Sequence, residues 1–265
     1  MPRIADEART VVEDPGPWMI WLYGDWGVGK TVLACGFPNV LLLDAENSRE
    51  SLLNHPELVN TKFLEAKPFS RFKKICDEII LGQDELYKQT ETVVVDTVST
   101  LQMRELNDQM KEVGQKQGRH PDLPSQNEFN INNTRIRKAI LDLRDRSGKN
   151  IILISHIKEE QDDAGTTVLI RPGNSPSLSS SIAVLCSGIF YLQSKTDSKG
   201  ETSRTLRCMP LGTRIRAKNR FTSILEREVV NPTAKDIQQA IDAHRELARQ
   251  YSEQQLTEET TNANN

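Results

Sequence analysis

Gly24-Asp25-Trp26-Gly27-Val28-Gly29-Lys30-Thr31 follows the pattern G-x-x-x-x-G-K-T, and its reading decides the fold. Just before it, Trp18-Met19-Ile20-Trp21-Leu22-Tyr23 is an apolar run that reads as a buried strand. Just after it, Thr31 to Cys35 reads as the first turns of a helix, ended by Gly36 and Pro38. Strand, glycine-rich loop and helix is the context in which this motif binds phosphate. The glycines let the backbone curl so that successive N–H groups point inward at a triphosphate, and the helix start adds its positive end. Lys30 then reaches the β- and γ-phosphates of ATP, and the Thr31 hydroxyl holds Mg²⁺. With ordinary residue usage the pattern arises by chance in about one chain in a hundred of this length.

Outward from the loop, apolar runs recur at strand length. Asn39 to Asp44 ends in Asp44-Ala45-Glu46; Thr92 to Asp96 ends in a carboxylate and enters a helix at Thr97-Val98-Ser99-Thr100; Ile151 to His156 ends in Ser155-His156; Ile189 to Leu192 is a fifth. Uninterrupted apolar strands suit a parallel sheet covered on both faces. Helices read from periodicity fall at Phe69–Gly82, Asn132–Arg146, Leu178–Cys186 and Ala234–Arg249. Two polar stretches, Lys111 to Asn133 and Lys158 to Pro176, read as long exposed loops, the second with a hairpin at Thr166 to Arg171. Ser194 to Gly200 is a turn, and Ser203–Met209 and Arg214–Phe221 read as antiparallel strands on the sheet edge. The fold class is α/β, with a mostly parallel sheet flanked by helices. Residues 1–16 form a loose lead-in, 17–230 the core, 231–252 a C-terminal helix, and 253–265 a disordered tail.

In open parallel sheets the ligand sits beyond the carboxyl ends of the strands. Thr31, Glu46, Asp96 and His156 all lie there and form one expected site. Asp96 fits the acidic residue that orients Mg²⁺ beside the loop. Glu46 is a carboxylate able to polarise the attacking water, with Asp44 as its competitor. His156 reads either as a γ-phosphate sensor or as a half-buried histidine with a satisfied ring. Arg204, Arg207, Arg214, Arg216, Lys218 and Arg220 cluster near the end of the core. They read either as a solvated hairpin or as a cationic surface facing a triphosphate or a nucleic-acid backbone. For DNA, Lys111, Lys116, Arg119, Lys158 and Arg171 are the phosphate-binding candidates. Phe129 is the one aromatic residue in these stretches, so base stacking is modest.

Of the 265 residues, 37% are hydrophobic and 27% charged, and the net charge is −3, which argues against a uniformly basic nucleic-acid binder. The four cysteines, Cys35, Cys76, Cys186 and Cys208, form no C-x-x-C pair and read as reduced core thiols of a cytoplasmic protein. No window approaches the apolar length of a membrane span, and the N-terminus lacks an apolar signal core.

The ordered set of phosphate loop, Leu43-Asp44-Ala45-Glu46, Val95-Asp96, Ile154-Ser155-His156-Ile157-Lys158 and Ala217-Lys218-Asn219-Arg220 resembles the RecA-type recombinase ATPase core. Within that family the chain looks most like the short, core-only members carried by bacteriophages, described as ATP-dependent single-strand annealing proteins. The resemblance runs from about Trp18 to Phe221. It implies Glu46 as the catalytic glutamate and His156 in the place of a polar residue, often Gln, linking the γ-phosphate to a DNA-binding loop. It maps a K-N-K-like element that reaches the neighbouring subunit's ATP onto Lys218 and Arg220. It also implies single-stranded DNA and further copies of the chain as partners, with a single-strand-binding protein as an additional candidate. Two other readings stay open: an ATP-gated DNA-binding module with negligible turnover, and a small-molecule P-loop kinase.

Overall fold

The computed structural model describes residues 10–117, 120, 123–221 and 225–263, so most of the expected lead-in lies outside the described residues. In chain order the first half comprises β1 (Met19–Gly24), α1 (Lys30–Cys35), β2 (Val40–Asp44), a 3₁₀ turn (Ser48–Asn54), β3 (Lys62–Glu65), α2 (Phe69–Leu81), α3 (Glu85–Gln89), β4 (Thr92–Asp96), α4 (Val98–Gln117) and α5 (Gln126–Arg146). The second half comprises β5 (Asn150–Ser155), β6 (Ile157–Gln161), β7 (Thr167–Pro172), α6 (Pro176–Leu185), β8 (Gly188–Thr196), β9 (Thr202–Arg207), β10 (Lys218–Asn219), β11 (Glu228–Val230) and α7 (Ala234–Ala263).

The main sheet has the order β11-β9-β8-β1-β5-β4-β2-β3, with β10 also on β8. The pairings from β8 through β1, β5, β4 and β2 to β3 are parallel, and those of β9, β10 and β11 are antiparallel. The strand carrying the phosphate loop is thus separated from β4 by β5.

Alternation along the strands builds two cores. Met19, Trp21, Tyr23, Leu41, Leu43, Val93, Val95 and Leu153 pack under the α2, α4, α5 and α6 layer with Phe72, Ile79, Ile140 and Ile182. Ile20, Leu22, Leu42, Val94, Ile152, Ile154 and Phe190 pack against Leu33, Ala34, Ile237 and Ile241 of α1 and α7. With both faces covered, β1, β2, β4 and β5 are apolar between their ends, which is why they stand out in the sequence.

Most of the long loop expected over Lys111–Asn133 is helical. α4 continues through Gln117, and α5 begins at Gln126, six residues before the expected start. A capping box opens α5, with Ser125 N–H donating to Glu128 Oε2 at 2.7 Å. Polar residues disguise both helices, because their contact is built on buried amides. Gln102 Nε2 donates to Asn133 Oδ1 at 2.7 Å, Asn132 Nδ2 to the Gln102 carbonyl at 3.0 Å, and Arg135 pairs with Glu105 at 2.6 Å. The polar stretch after His156 is likewise ordered, as an antiparallel β6–β7 hairpin forming its own two-stranded sheet.

On the sheet edge, β8 extends to Thr196, past the expected start of the turn. Only Lys218 and Asn219 of the expected Arg214–Phe221 strand pair with the sheet. The segment before them is held elsewhere, the Tyr23 hydroxyl donating to the Arg216 carbonyl at 2.5 Å. α7 continues through Ala263, so the stretch from Glu253 expected to be disordered is helical; it carries no glycine or proline to stop the helix.

Gly24 aligns with Leu192 across the β1–β8 pair, and a Cβ at residue 24 would overlap the Leu192 carbonyl oxygen. The first loop glycine is therefore required by sheet packing as well as by phosphate. Gly24→Ala should lower unfolding free energy by about 2–3 kcal/mol, the cost of overpacking against backbone that has no freedom to yield. Urea denaturation checks this, and a midpoint equal to wild type would refute it.

Candidate nucleotide-binding site

The phosphate loop leaves β1 at Gly24 and turns through Gly27 (φ 71°) and Gly29 (φ 92°), left-handed conformations that glycine adopts without strain. Lys30, the first residue of α1, lies 7% exposed and donates from Nζ to the carbonyls of Gly24 (3.1 Å) and Asp25 (2.6 Å). Its ammonium is thus folded back under the loop. Burial lowers the Lys30 pKa, against the pull of Asp96, Glu46 and Asp25. Trp26 at the loop tip is 82% exposed.

Thr31 Oγ1 donates to Asp96 Oδ2 at 2.6 Å, joining the two residues expected to hold Mg²⁺. Asp96 is 1% exposed, and burial pushes its pKa up to about 6, opposed by hydrogen bonds from Thr31 and Ser48. A buried carboxylate and a hydroxyl form a hard oxygen donor set, short of positive charge, that fits Mg²⁺.

Glu46 is gathered into the same site. Its Oε1 accepts hydrogen bonds from Thr97 Oγ1 (2.5 Å), Thr100 Oγ1 and His156 Nε2 (2.9 Å). Burial raises the Glu46 pKa, but the bonds from His156, Thr100 and Thr97 outweigh it and hold the carboxyl at about 2. Among the described residues Oε2 has no partner and is left for water. So ionised a group is a weak proton acceptor, suited to orienting a water more than to deprotonating it. The hydrogen bond to Glu46 in turn raises the His156 pKa.

Asp44, the competitor for the role of Glu46, is fully buried and already committed. Its Oδ1 accepts from the N–H groups of Glu46 (3.1 Å) and Ser48 (3.0 Å), and its Oδ2 pairs with Arg49 at 3.0 Å. It shapes the turn that delivers Glu46. The part played by Thr97 and Thr100 was missed in the sequence; their i, i+3 spacing at the start of α4, directly after Asp96, is the signal that could have revealed it.

The remaining candidates scatter. Lys218 and Arg220 stand at the other end of the sheet: β10 pairs with Gly188 and Ile189, whereas Gly24 pairs with Leu192, roughly 10–13 Å further along β8. Lys218 Nζ donates to the carbonyls of Ala183 (3.0 Å) and Val184 (3.3 Å), capping the end of α6. Arg220 is exposed. Arg171 is corrected as a DNA contact: it is buried, pairs with Glu160 at 2.7 Å, and donates to the carbonyls of Pro172 and Asn174, so its charge closes the hairpin. Lys111 is corrected as a loop residue, since it lies on α4 beside Asp108 at 3.6 Å. The Lys116 side chain and all of Arg119 lie outside the described residues. Lys158 is exposed on β6, beside a cleft of about 930 Å³ that His156, Thr100, Met103 and Phe129 also line.

A family model described as an AAA domain matches residues 16–221. The chain belongs to that family. No curated protein matches the sequence. Among solved structures, the crystal structure of the RadB recombinase is similar at 15% identity, over 76% of this chain and 83% of that one, with a TM-score of 0.45. This AAA domain, with its phosphate loop and strand-end carboxylates, is a nucleotide-binding P-loop ATPase. Among its described residues no helix is long and apolar enough to cross a membrane.

The Glu46–His156 pair has a testable charge state. His156 should titrate above its ordinary 6.5, and Glu46→Gln should bring it back toward that value, as followed by NMR of the imidazole protons. Because the His156 value is raised and the Glu46 value lowered in the fold, the stabilisation by the pair is complete between pH 4.5 and 6.5, and is lost as pH rises through the folded His156 value or falls toward about 2. A His156 titration unchanged in the variant would refute the coupling.

Proposed function

We propose that this ATPase assembles head to tail on single-stranded DNA and uses Mg²⁺-dependent ATP hydrolysis, stimulated by that DNA, in strand annealing during homologous recombination. The observation that carries the reading is the path from Glu46 to the hairpin. His156 holds Glu46 through its ring, β6 begins at the next residue, and Gly173 N–H closes the hairpin base on the His156 carbonyl at 2.8 Å. A change at Glu46 therefore acts on a hairpin carrying Lys158 beside an open cleft, the arrangement that coupling of hydrolysis to a DNA contact requires. Buried, unpaired cysteines suit a reducing cytoplasm, that of a host cell if the chain is phage-encoded.

In the proposed reaction Lys30 leaves the loop carbonyls for the β- and γ-phosphate oxygens, and Glu46 Oε2 aligns a water with the γ-phosphorus. Thr31 and Asp96 would hold Mg²⁺, which would supply charge neutralisation on the phosphates. His156 keeps Glu46 ionised and positioned. One feature favours the second reading, of an ATP-gated DNA-binding module: so low a basicity at Glu46 predicts slow turnover.

ATP turnover with and without single-stranded DNA separates the two. Under the first reading DNA raises the rate, and Glu46→Gln lowers it about 10²-fold or more while ATP-dependent DNA retention persists. That retention should fall steeply with salt, since the contacts are to phosphates. Wild-type turnover that stays negligible on DNA would leave only the second reading, and an unchanged rate in Glu46→Gln would remove Glu46 from the mechanism.

Arg220 is the cation proposed to act across the subunit boundary, because it stands far from its own loop, and Lys218 is largely engaged in capping α6. Arg220→Ala and Lys30→Ala should each lack activity, and mixing them should restore part of it, since some interfaces then pair an intact loop with an intact arginine. Co-assembled mixtures without recovery would refute the trans role.

A further inference from the structure

A second arginine approaches the phosphate loop from within the same chain. Leu206 of β9 is buried in the core beneath α1 together with Val28 of the loop. Arg204, two residues earlier, points to the same face. Its guanidinium lies across Gly29: a Cβ at that glycine would stand 3.0 Å from Nε and 3.4 Å from Cζ of Arg204. The backbone at this point is fixed on both polar atoms. Arg204 N–H donates to Asn231 Oδ1 at 2.9 Å, and Asn231 N–H donates back to the Arg204 carbonyl at 2.7 Å. Asn231 holds the left-handed conformation (φ 48°) that this reciprocal pair requires.

Arg204 also keeps its charge available. Arg207, on the same strand, pairs with Glu228 at 2.5 Å, whereas among the described residues the Arg204 guanidinium has no carboxylate partner. An exposed cation held against Gly29 of a phosphate loop is placed to meet a phosphate.

The strand order says which phosphates it would meet. Glu46, Asp96 and His156 follow β2, β4 and β5, all on one side of β1, and β9 lies on the other side beyond β8. A triphosphate on the loop, with its γ-phosphate toward Glu46, lays its nucleoside side toward β8 and β9. We propose that Arg204 is a second cation of the nucleotide site, supplied by the same chain, that grips the phosphates on the nucleoside side. Its planar donors match two phosphate oxygens at once, as the Lys30 ammonium does not. The inference rests on the reading of the loop as the nucleotide site and adds a residue to it. It is distinct from Arg220, which stands at the far end of the strands.

Calorimetric titration of the full chain with Mg²⁺-ATP and with Mg²⁺-ADP tests this, using Arg204→Ala, Arg204→Lys, Lys30→Ala and, as a surface control, Lys199→Ala. Arg204→Ala should bind both nucleotides about ten- to a hundredfold more weakly, because both carry the phosphates it touches. Arg204→Lys should recover part of the loss, and Lys199→Ala should match wild type. In steady state Arg204→Ala should raise KM and leave kcat within about twofold, the reverse of the pattern expected for Glu46→Gln. Unchanged affinity in Arg204→Ala, with Lys30→Ala impaired, would overturn the role of Arg204 alone. Tighter binding in Arg204→Ala would recast it as a plug, and loss confined to ATP would place it at the γ-phosphate; either result overturns the proposal. Wild-type affinity in Lys30→Ala would instead overturn the reading of the loop.

Discussion

Burial on both faces obliges β1, β2, β4 and β5 to be apolar along their length, so the polar side chains they deliver gather at their carboxyl ends. Because these strands run parallel and in register, the ends coincide. Asp44 aligns with Asp96 across β2 and β4, and Asp96 with Ile154 across β4 and β5, one residue short of Ser155. The phosphate loop opens at the same level from β1. Every chemical property of the site depends on this shared edge, and a one-residue slip in any pairing would send its carboxylate to the wrong face.

Three carboxylates crowded onto one edge would repel each other if they were alike, and the structure resolves this by giving each a different environment. Asp44 is satisfied by backbone N–H groups and Arg49, and serves as scaffold. Asp96 is buried with fewer donors and with Glu46 and Asp44 nearby, so its negative charge is poorly supported until a cation arrives. Glu46 has two hydroxyls and an imidazole on one oxygen and remains ionised. The opposite shifts of Asp96 and Glu46 reflect deeper burial and neighbouring carboxylates at Asp96, against three donors, one of them His156, on the less buried Glu46.

The hairpin after His156 is bound to the body through a chain of buried polar groups. Trp21 Nε1 donates to Ser155 Oγ at 2.9 Å, Ser155 Oγ to Asn174 Oδ1 at 2.9 Å, and Asn174 Nδ2 to Gln102 Oε1 at 3.1 Å. The chain joins the phosphate-loop strand, the strand of His156, the base of the hairpin and α4. Fully satisfied buried networks hold one geometry, because breaking any member leaves a desolvated polar atom. His156 therefore sits on a rigid base.

Much of this could be read from the residues. Periodicity and the glycine spacing place the loop between β1 and α1, the apolar runs locate the parallel strands, and their polar ends mark Thr31, Glu46, Asp96 and His156 as one site. These features are local, since each depends on a few consecutive residues. The choice between Asp44 and Glu46 required the turn geometry that consumes Asp44. The full lengths of α4 and α5 were hidden because their contact buries Gln102, Glu105 and Asn132 in place of leucines, so polarity there does not signal solvent. Arg171 looked like a free cation until the hairpin closed around it. Arg204 was one member of a basic cluster, and only the antiparallel return of β9 past β8 sets its guanidinium over Gly29, 175 residues earlier in the chain. Local sequence determines which elements form and which side chains reach the edge; which charges stay uncommitted there depends on long-range pairing, and only the tertiary structure decided it.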